Sequence, residues 1–438
     1  MSQTFPLAVE SIRSNAVTTI LNDPADFTED MLAGFFRAHE DVVQPLPGGV
    51  IRATATRPGK VAVVIGGGSG HYPAFAGWVG IGLADAAVVG PVFASPSAQQ
   101  IVSVAAAADD GAGVLLSFGN YAGDVLSFGA ARTELAARGL RTRSVVVSDD
   151  IASAPRAERS SRRGAAGDLV VVKVAGAAAE AGYDLDEVAR VADEANTRTA
   201  SLGIAFSGCT LPGASAPLFT LPPGRMGVGL GVHGEPGIAE ADLGTAADVA
   251  AMLVARVLEE RPRGATRAAV LLNGMGSTTP EELFIVWNEV AGRLEAQGVA
   301  LVEPEVGELI TSLDMAGLSL TVTWLNEELE ALWRAPARGA AYRKGNVPEA
   351  APARRQPTPT PMAAIPRSSP ESRHVAALLT QAVEAAAQAL RTHQDELDVL
   401  DSVAGNGDHG RVMARGARAA ASAAERALAE GAGAATLL

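Results

Sequence analysis

Residues 61–65 form an unbroken apolar run that passes directly into Gly66-Gly-Gly-Ser-Gly70, and His71 follows at once. A run of this length bounded by glycines predicts a strand buried on both faces that enters a tight glycine turn. Strands buried on both faces belong to sheets covered by helices, so this one feature restricts the chain to a layered α/β architecture. Similar runs recur at 113–118, 144–148 and 169–172, then at 201–206, 268–272 and 319–323. Helical windows lie between them at 97–109, 130–138 and 184–197. The alternation predicts two α/β lobes, 1–195 and 196–345, each with a mixed sheet flanked by helices.

Composition then changes. Prolines stand at 348, 352, 357, 359, 361, 366 and 370 with little apolar periodicity between them. This predicts an extended linker over 346–374. Beyond it, Val375, Leu378, Leu379, Val383 and Leu390 repeat at helical spacing, and a second alanine-rich helix is expected over 411–429. A polar, glycine-punctuated loop separates the two. Residues 375–438 are therefore expected to form an all-α unit of their own.

Bulk numbers exclude several classes. Hydrophobic residues make up 48% of the 438 and charged ones 19%, so the chain can bury a large core. Thirty-five basic residues against 49 acidic ones leave a net charge of −14, which argues against a nucleic-acid partner. Cys209 is the only cysteine, so neither an intrachain disulfide nor a multi-cysteine metal cage can form. No run reaches the roughly 18 apolar residues of a membrane span, and the first residues lack the pattern of a signal peptide. A cytoplasmic protein with no membrane partner is expected.

Chemistry-bearing residues cluster in three places. His71 follows a strand at the sheet's carboxyl edge, where ligands of α/β proteins collect. His233 lies in Gly229-Leu-Gly-Val-His-Gly-Glu-Pro-Gly237, where flanking glycines leave its imidazole approachable. Asp124 follows the 113–118 run and is a candidate base, although aspartate is also a common turn residue. The segment 229–234 formally satisfies G-x-G-x-x-G, but Glu235-Pro236 stands where the helix of a dinucleotide site should run. No Walker-type phosphate loop occurs, so a nucleotide would have to be held otherwise. In the tail, Asp401, Asn406 and Asp408 with His409 lie on a glycine-flexible loop between helices, an oxygen-rich set suited to Mg²⁺.

Taken together, six ordered segments resemble the dihydroxyacetone kinase family, whose ATP-dependent members join a ketose-binding K domain to a nucleotide-binding L domain. They are Gly66-Gly-Gly-Ser-Gly-His71, Val92-Phe-Ala-Ser-Pro-Ser97, Asn120-Tyr-Ala-Gly-Asp124, Arg162-Arg-Gly164, 229–237 and Thr311-Ser-Leu-Asp-Met315. The tail sequence Leu400-Asp-Ser-Val-Ala-Gly-Asn-Gly-Asp-His-Gly410 resembles the opening metal loop of the L domain. The resemblance implies a two-lobed K domain of mixed sheets flanked by helices, the proline-rich linker, and the first helices of an all-α L domain. It implies Mg²⁺ and ATP, with metal held by Asp401, Asn406 and Asp408 and nucleotide contacted by His409. It assigns His233 to a covalent hemiaminal with the ketone carbon, Asp124 to general base on the terminal hydroxyl, and His71 to polarising the substrate oxygens. Gly68 and Ser69 would line the substrate cleft, and homodimerisation is expected.

Departures from the family pattern collect at the pocket. The chain has His71-Tyr72-Pro73-Ala74-Phe75 where the family usually has His-Glu-Pro, and Gly119 where it usually has lysine. Loss of the lysine frees volume, and Tyr72 and Phe75 are expected to add aromatic walls. The His-Tyr-Pro-Ala-Phe sequence resembles the erythrulose kinases of the family, so a four-carbon ketose is favoured over dihydroxyacetone. Asn406 replaces a usual aspartate, which predicts weaker metal binding than in an Asn406→Asp variant. Residues 375–438 provide only about two helices of a much longer L barrel. A truncated nucleotide domain, or a complementary L-domain chain supplied in trans, is therefore expected. The rival expectations are a dihydroxyacetone kinase and a ketose-binding K subunit without catalysis of its own.

Overall fold

The computed structural model describes residues 18, 20–235, 237–347, 365, 366, 368–401 and 409–437. Helix α1 (Phe27–Ala38) leads into strands β1 (Val43–Leu46), β2 (Gly49–Arg52) and β3 (Ala62–Ser69), the two-residue β4 (Gly80–Ile81), and β5 (Ala86–Val92). Next come α2 (Ala98–Ala108), β6 (Val114–Gly119), α3 (Ala122–Ala137) and β7 (Thr142–Val147). The first sheet has the order β1-β2-β5-β3-β6-β7. Its β5, β3, β6 and β7 are parallel, while β1 and β2 close the edge antiparallel. Ser97 caps α2 in a reciprocal box with Gln100.

Helices α4 (Gly167–Ala181) and α5 (Leu185–Thr197) lead to the second sheet. Its strands are β8 (Thr199–Ala205), β9 (Arg225–Val228), β10 (Ala239–Asp242), β11 (Arg267–Gly274), β12 (Ala300–Leu301), β13 (Glu305–Gly307) and β14 (Gly317–Trp324). They run in the order β10-β9-β8-β14-β11-β12, with β13 also on β11, and both parallel and antiparallel pairs occur. Helices α6 (Ala246–Leu258) and α7 (Pro280–Ala296) cover this sheet. After α8 (Glu327–Arg334), strand β15 (Ala337–Gly339) returns to pair with β4, and β16 (Arg343–Lys344) pairs with β15.

Two expectations change here. Residues 169–172 are not a strand but the first turns of α4. This helix contacts β3, β6 and β7 of one sheet and β8 and β14 of the other. Burial against both sheets lets apolar residues occupy successive positions 169–172, and a short apolar run then looks the same in helix and strand. The glycine run is likewise not a turn: β3 continues through Gly66, Gly67 and Gly68 to Ser69. A methyl group on Gly67 would lie 2.5 Å from the Phe75 ring, and one on Gly68 would lie 2.7 Å from the Ala94 backbone nitrogen. The glycines are there because neighbours press on both faces of the strand. The turn comes at Gly70, where φ is +96°.

The tail is helical among its described residues, with α9 (Pro370–Thr392), α10 (Gln394–Asp401), α11 (His409–Ala429) and α12 (Ala434–Leu437). Ser369 caps α9, whose first turn therefore begins inside the stretch expected to be linker. Residues 348–364, which hold most of the expected linker, lie outside the described residues. Among the described residues, no helix is long and apolar enough to cross a membrane.

Candidate active site

Three carboxyl ends of parallel strands in the first sheet supply one wall of the site: His71 beyond β3, Phe93 beyond β5 and Gly119–Asp124 beyond β6. The loop between β9 and β10 of the second sheet supplies His233. The loop before β14 holds them in register, because Leu313 N donates to Gly70 O at 2.8 Å and Thr311 N to His71 O at 3.3 Å. Ser312 Oγ in turn donates to the Val232 carbonyl.

At the centre, His71 Nε2 and His233 Nε2 are 3.0 Å apart. The outer nitrogens are both committed: His71 Nδ1 lies 2.8 Å from the Thr311 carbonyl oxygen, and His233 Nδ1 lies 2.8 Å from Glu235 Oε1. A carbonyl and an ionised carboxylate only accept, so each Nδ1 carries a proton. The close contact between the two Nε2 atoms then needs one further proton between them. Burial, reinforced by the charge of His233, holds His71 down at about 3, so that proton belongs to the His233 side. Glu235 is its counter-ion. Burial opposes ionisation of Glu235, but the charge and hydrogen bond of His233 and the charge of Arg163 outweigh it and hold the carboxyl at about 2.

The loop that carries His233 is pinned from the first sheet's side. Arg163 Nε donates to Asp150 Oδ2 at 2.9 Å, and its NH2 donates to the Gly229 carbonyl at 3.1 Å. Phe93 stacks on His71 with centroids 4.8 Å apart, and Tyr121 meets His233 edge-on, also at 4.8 Å. The Tyr121 hydroxyl donates to the Gly164 carbonyl at 2.9 Å. Asn120 Nδ2 donates to the Ser160 and Arg162 carbonyls at 2.9 and 2.7 Å, which ties the loop after β6 to the segment before α4.

Asp124 lies in the first turn of α3, buried, and its Oδ1 has no hydrogen-bond partner. Burial lifts it to about 6, against the opposing effects of Ser95 and the positive charge of His233. A carboxyl with an idle oxygen and this proton affinity is equipped to take a proton from a hydroxyl near neutral pH.

His71, His233 and Asp124 thus converge, and Gly119 lies beside them at the end of β6. Gly68 and Ser69 are in β3, where Ser69 Oγ is 2.9 Å from Thr28 Oγ1 of α1. The two expected aromatic walls stand elsewhere. Phe75 lies in the core beneath Gly67 with its edge toward Trp78, while Tyr72 is 43% exposed and packs edge-on to Phe35. The rings around the histidines are Phe93 and Tyr121, which lie in the segments 92–97 and 120–124 but cannot be ranked above Tyr72 and Phe75 from sequence. Glu235, two residues from His233, was the readable partner that spacing could have disclosed.

In the tail, Asp401 closes α10 and His409 opens α11, exposed, while Asn406 and Asp408 lie outside the described residues. Asp398 Oδ1 accepts from Arg411 N at 3.2 Å, which ties the end of α10 to the start of α11.

Residues 33–341 match the Dak1 domain. The chain is 54% identical over 429 residues to the D-erythrulose kinase of Mycolicibacterium smegmatis, covering 96% of this chain and 74% of that protein. It is 52% identical over 427 residues to the L-erythrulose kinase of Pectobacterium atrosepticum, covering 96% and 72%. Among solved structures, the dihydroxyacetone kinase of C. freundii in complex with AMP-PNP and Mg²⁺ aligns with a TM-score of 0.68 at 32% identity, over 93% of this chain and 75% of that one.

Proposed function

The chain belongs to the dihydroxyacetone kinase family, and from that premise we propose that it captures erythrulose as a hemiaminal on His233 and phosphorylates a terminal hydroxyl. It is an ATP-dependent ketose kinase that uses Mg²⁺. The choice of erythrulose over dihydroxyacetone rests on the relatives' substrates and on the bare Gly119. The 3.0 Å contact of the two Nε2 atoms, with every other ring nitrogen committed, carries the capture step.

Capture begins when the shared proton moves to His71 Nε2, which leaves a lone pair on His233 Nε2. That nitrogen attacks the ketone carbon, forming the C–N bond as the C=O π pair moves onto oxygen. His71 Nε2–H then protonates the oxygen. His71 ends neutral, and the alkylated His233 ring keeps Nδ1–H and one positive charge, still opposite Glu235. Net charge is unchanged, so the buried pair never loses its counter-ion. Only a carbonyl substrate can form this adduct, which selects ketoses over plain polyols. Asp124 Oδ1 accepts the proton of the terminal hydroxyl as that oxygen is phosphorylated.

Mg²⁺ would be held by Asp401, Asn406 and Asp408, and His409 would contact the nucleotide. An all-oxygen set of two carboxylates and an amide suits this ion, and the bond of Asp398 to Arg411 N ties together the helices that flank residues 402–408. When bound, the ion offsets negative charge on the phosphates.

Gentle-ionisation mass spectrometry of the protein with erythrulose tests the capture. An adduct present in the wild type and absent from His233→Ala is expected, and an adduct that survives the substitution refutes the assignment. Initial rates with ATP on erythrulose and dihydroxyacetone test the substrate. A chain that forms the adduct yet turns over only when an L-domain protein is added would instead be a capture subunit.

A further inference from the structure

Gly119 opens a second wall of the pocket. A methyl group there would meet the Tyr121 ring at 3.2 Å and stand 3.6 Å from Asp168 Oδ2. With no side chain at Gly119, nothing of that residue covers Asp168 from the side where Tyr121 packs on His233. Asp168 lies in the first turn of α4 and is 5% exposed. Its carboxyl hydrogen-bonds to no described residue, and the charged groups acting on it are two carboxylates, Asp149 and Asp124. Two residues before Gly119 on the same strand face, Ser117 buries its hydroxyl with no partner. Asp124 Oδ1 is similarly idle.

Buried polar atoms are nearly always paired, so two idle ones and a carboxyl with no hydrogen bond around one strand end indicate a ligand that pairs them. The ligand's chemistry follows from the charges. Burial first, then the two neighbouring carboxylates, hold Asp168 well above the ordinary aspartate range, so it offers one O–H donor and one acceptor oxygen. Such a wall accepts a neutral hydroxyl and repels a carboxylate or phosphate.

We propose that Asp168, reached past the bare Cα of Gly119, determines substrate length by holding the hydroxyl that a four-carbon ketose carries beyond dihydroxyacetone. The proposal rests on the ketose-kinase reading and adds the group that would discriminate within that substrate class. A three-carbon ketose would leave Asp168 unpaired, and a site built to bond a hydroxyl penalises the analogue that lacks it.

Calorimetric titration of the full chain with erythrulose and with dihydroxyacetone, without ATP, tests this independently of phosphate transfer. Asp168→Ala should weaken erythrulose binding about 10- to 100-fold and dihydroxyacetone binding less than about threefold. Asp168→Asn, which keeps a donor and an acceptor in the same shape, should retain most of the preference. Gly119→Ala, whose added methyl narrows the approach, should lower the preference about tenfold while the carboxyl itself stays in place. Equal losses for both ketoses in Asp168→Ala, or an unchanged preference in Gly119→Ala, overturn the proposal. A wild-type chain that binds neither ketose defeats the ketose reading itself. One that favours erythrulose, with the preference intact in all three variants, removes only the role of Asp168.

Discussion

On one side of the pocket the ring nitrogens of His71 and His233 all have partners, while on the other Asp124 Oδ1 and Ser117 Oγ have none. The difference separates two tasks. Covalent capture needs one nitrogen at a fixed place and protonation, so the histidine side is closed by Thr311, Glu235, Phe93 and Tyr121. Hydroxyl recognition needs groups whose hydrogen bonds are still to be made, so the aspartate side is left incomplete. Such groups destabilise the unliganded fold and are retained where a ligand completes them.

The largest expected effect breaks the histidine side. His233→Ala should abolish the ketose adduct altogether, read by gentle-ionisation mass spectrometry, because no other described side chain occupies its place opposite His71. On the aspartate side, Asp124→Asn should lower turnover about 10²- to 10⁴-fold while the adduct still forms. Only the ionised carboxyl accepts a proton, so wild-type turnover should fall as pH drops below about 6, the value to which burial lifts Asp124. A flat profile between pH 5 and 7 would remove Asp124 from that role.

Glu235→Gln sharpens the comparison, since it leaves the shape but removes the counter-ion of the histidine pair. The adduct yield at neutral pH should fall about tenfold, as expected when a buried charge loses its partner. A yield equal to wild type would mean that the pair carries no net charge.

The smallest effect is on stability and has the opposite sign. Asp124 ionises at about 6 in the folded chain against an ordinary 3.8, so ionisation costs nothing below pH 4 and its full amount above pH 6. Asp124→Asn should therefore stabilise the chain by at most about 3 kcal/mol at pH 8 and by nothing at pH 3.5. Denaturant unfolding at the two pH values measures it. Destabilisation at pH 8 would contradict the idle state of Asp124 Oδ1.

Much of this site was legible as residues and little of it as contacts. His71, His233 and Asp124 stand out because they sit at strand ends among glycines, and the order of the six segments names the family. Phe93 and Tyr121 did not stand out, because an aromatic residue beside a glycine reads the same whether its ring meets a histidine or the core. Phe75 shows the cost of that ambiguity, since its ring fills the space beneath Gly67. Asp168 was hidden for a related reason. It opens a helix whose apolar run 169–172 imitates a strand, and a carboxylate at a helix start ordinarily serves the helix dipole.

The sequence by itself determined the layered α/β class, the family, and three reactive side chains, because alternation, glycine punctuation and motif order are properties of the chain read in one direction. Only the tertiary structure decided that the Nε2 atoms of His71 and His233, 162 positions apart in sequence, stand 3.0 Å apart. It also decided that Glu235 supplies the counter-charge and that Gly119 uncovers Asp168. Those relations depend on how the two sheets meet across α4, and no spacing within either sheet's own segment encodes that distance.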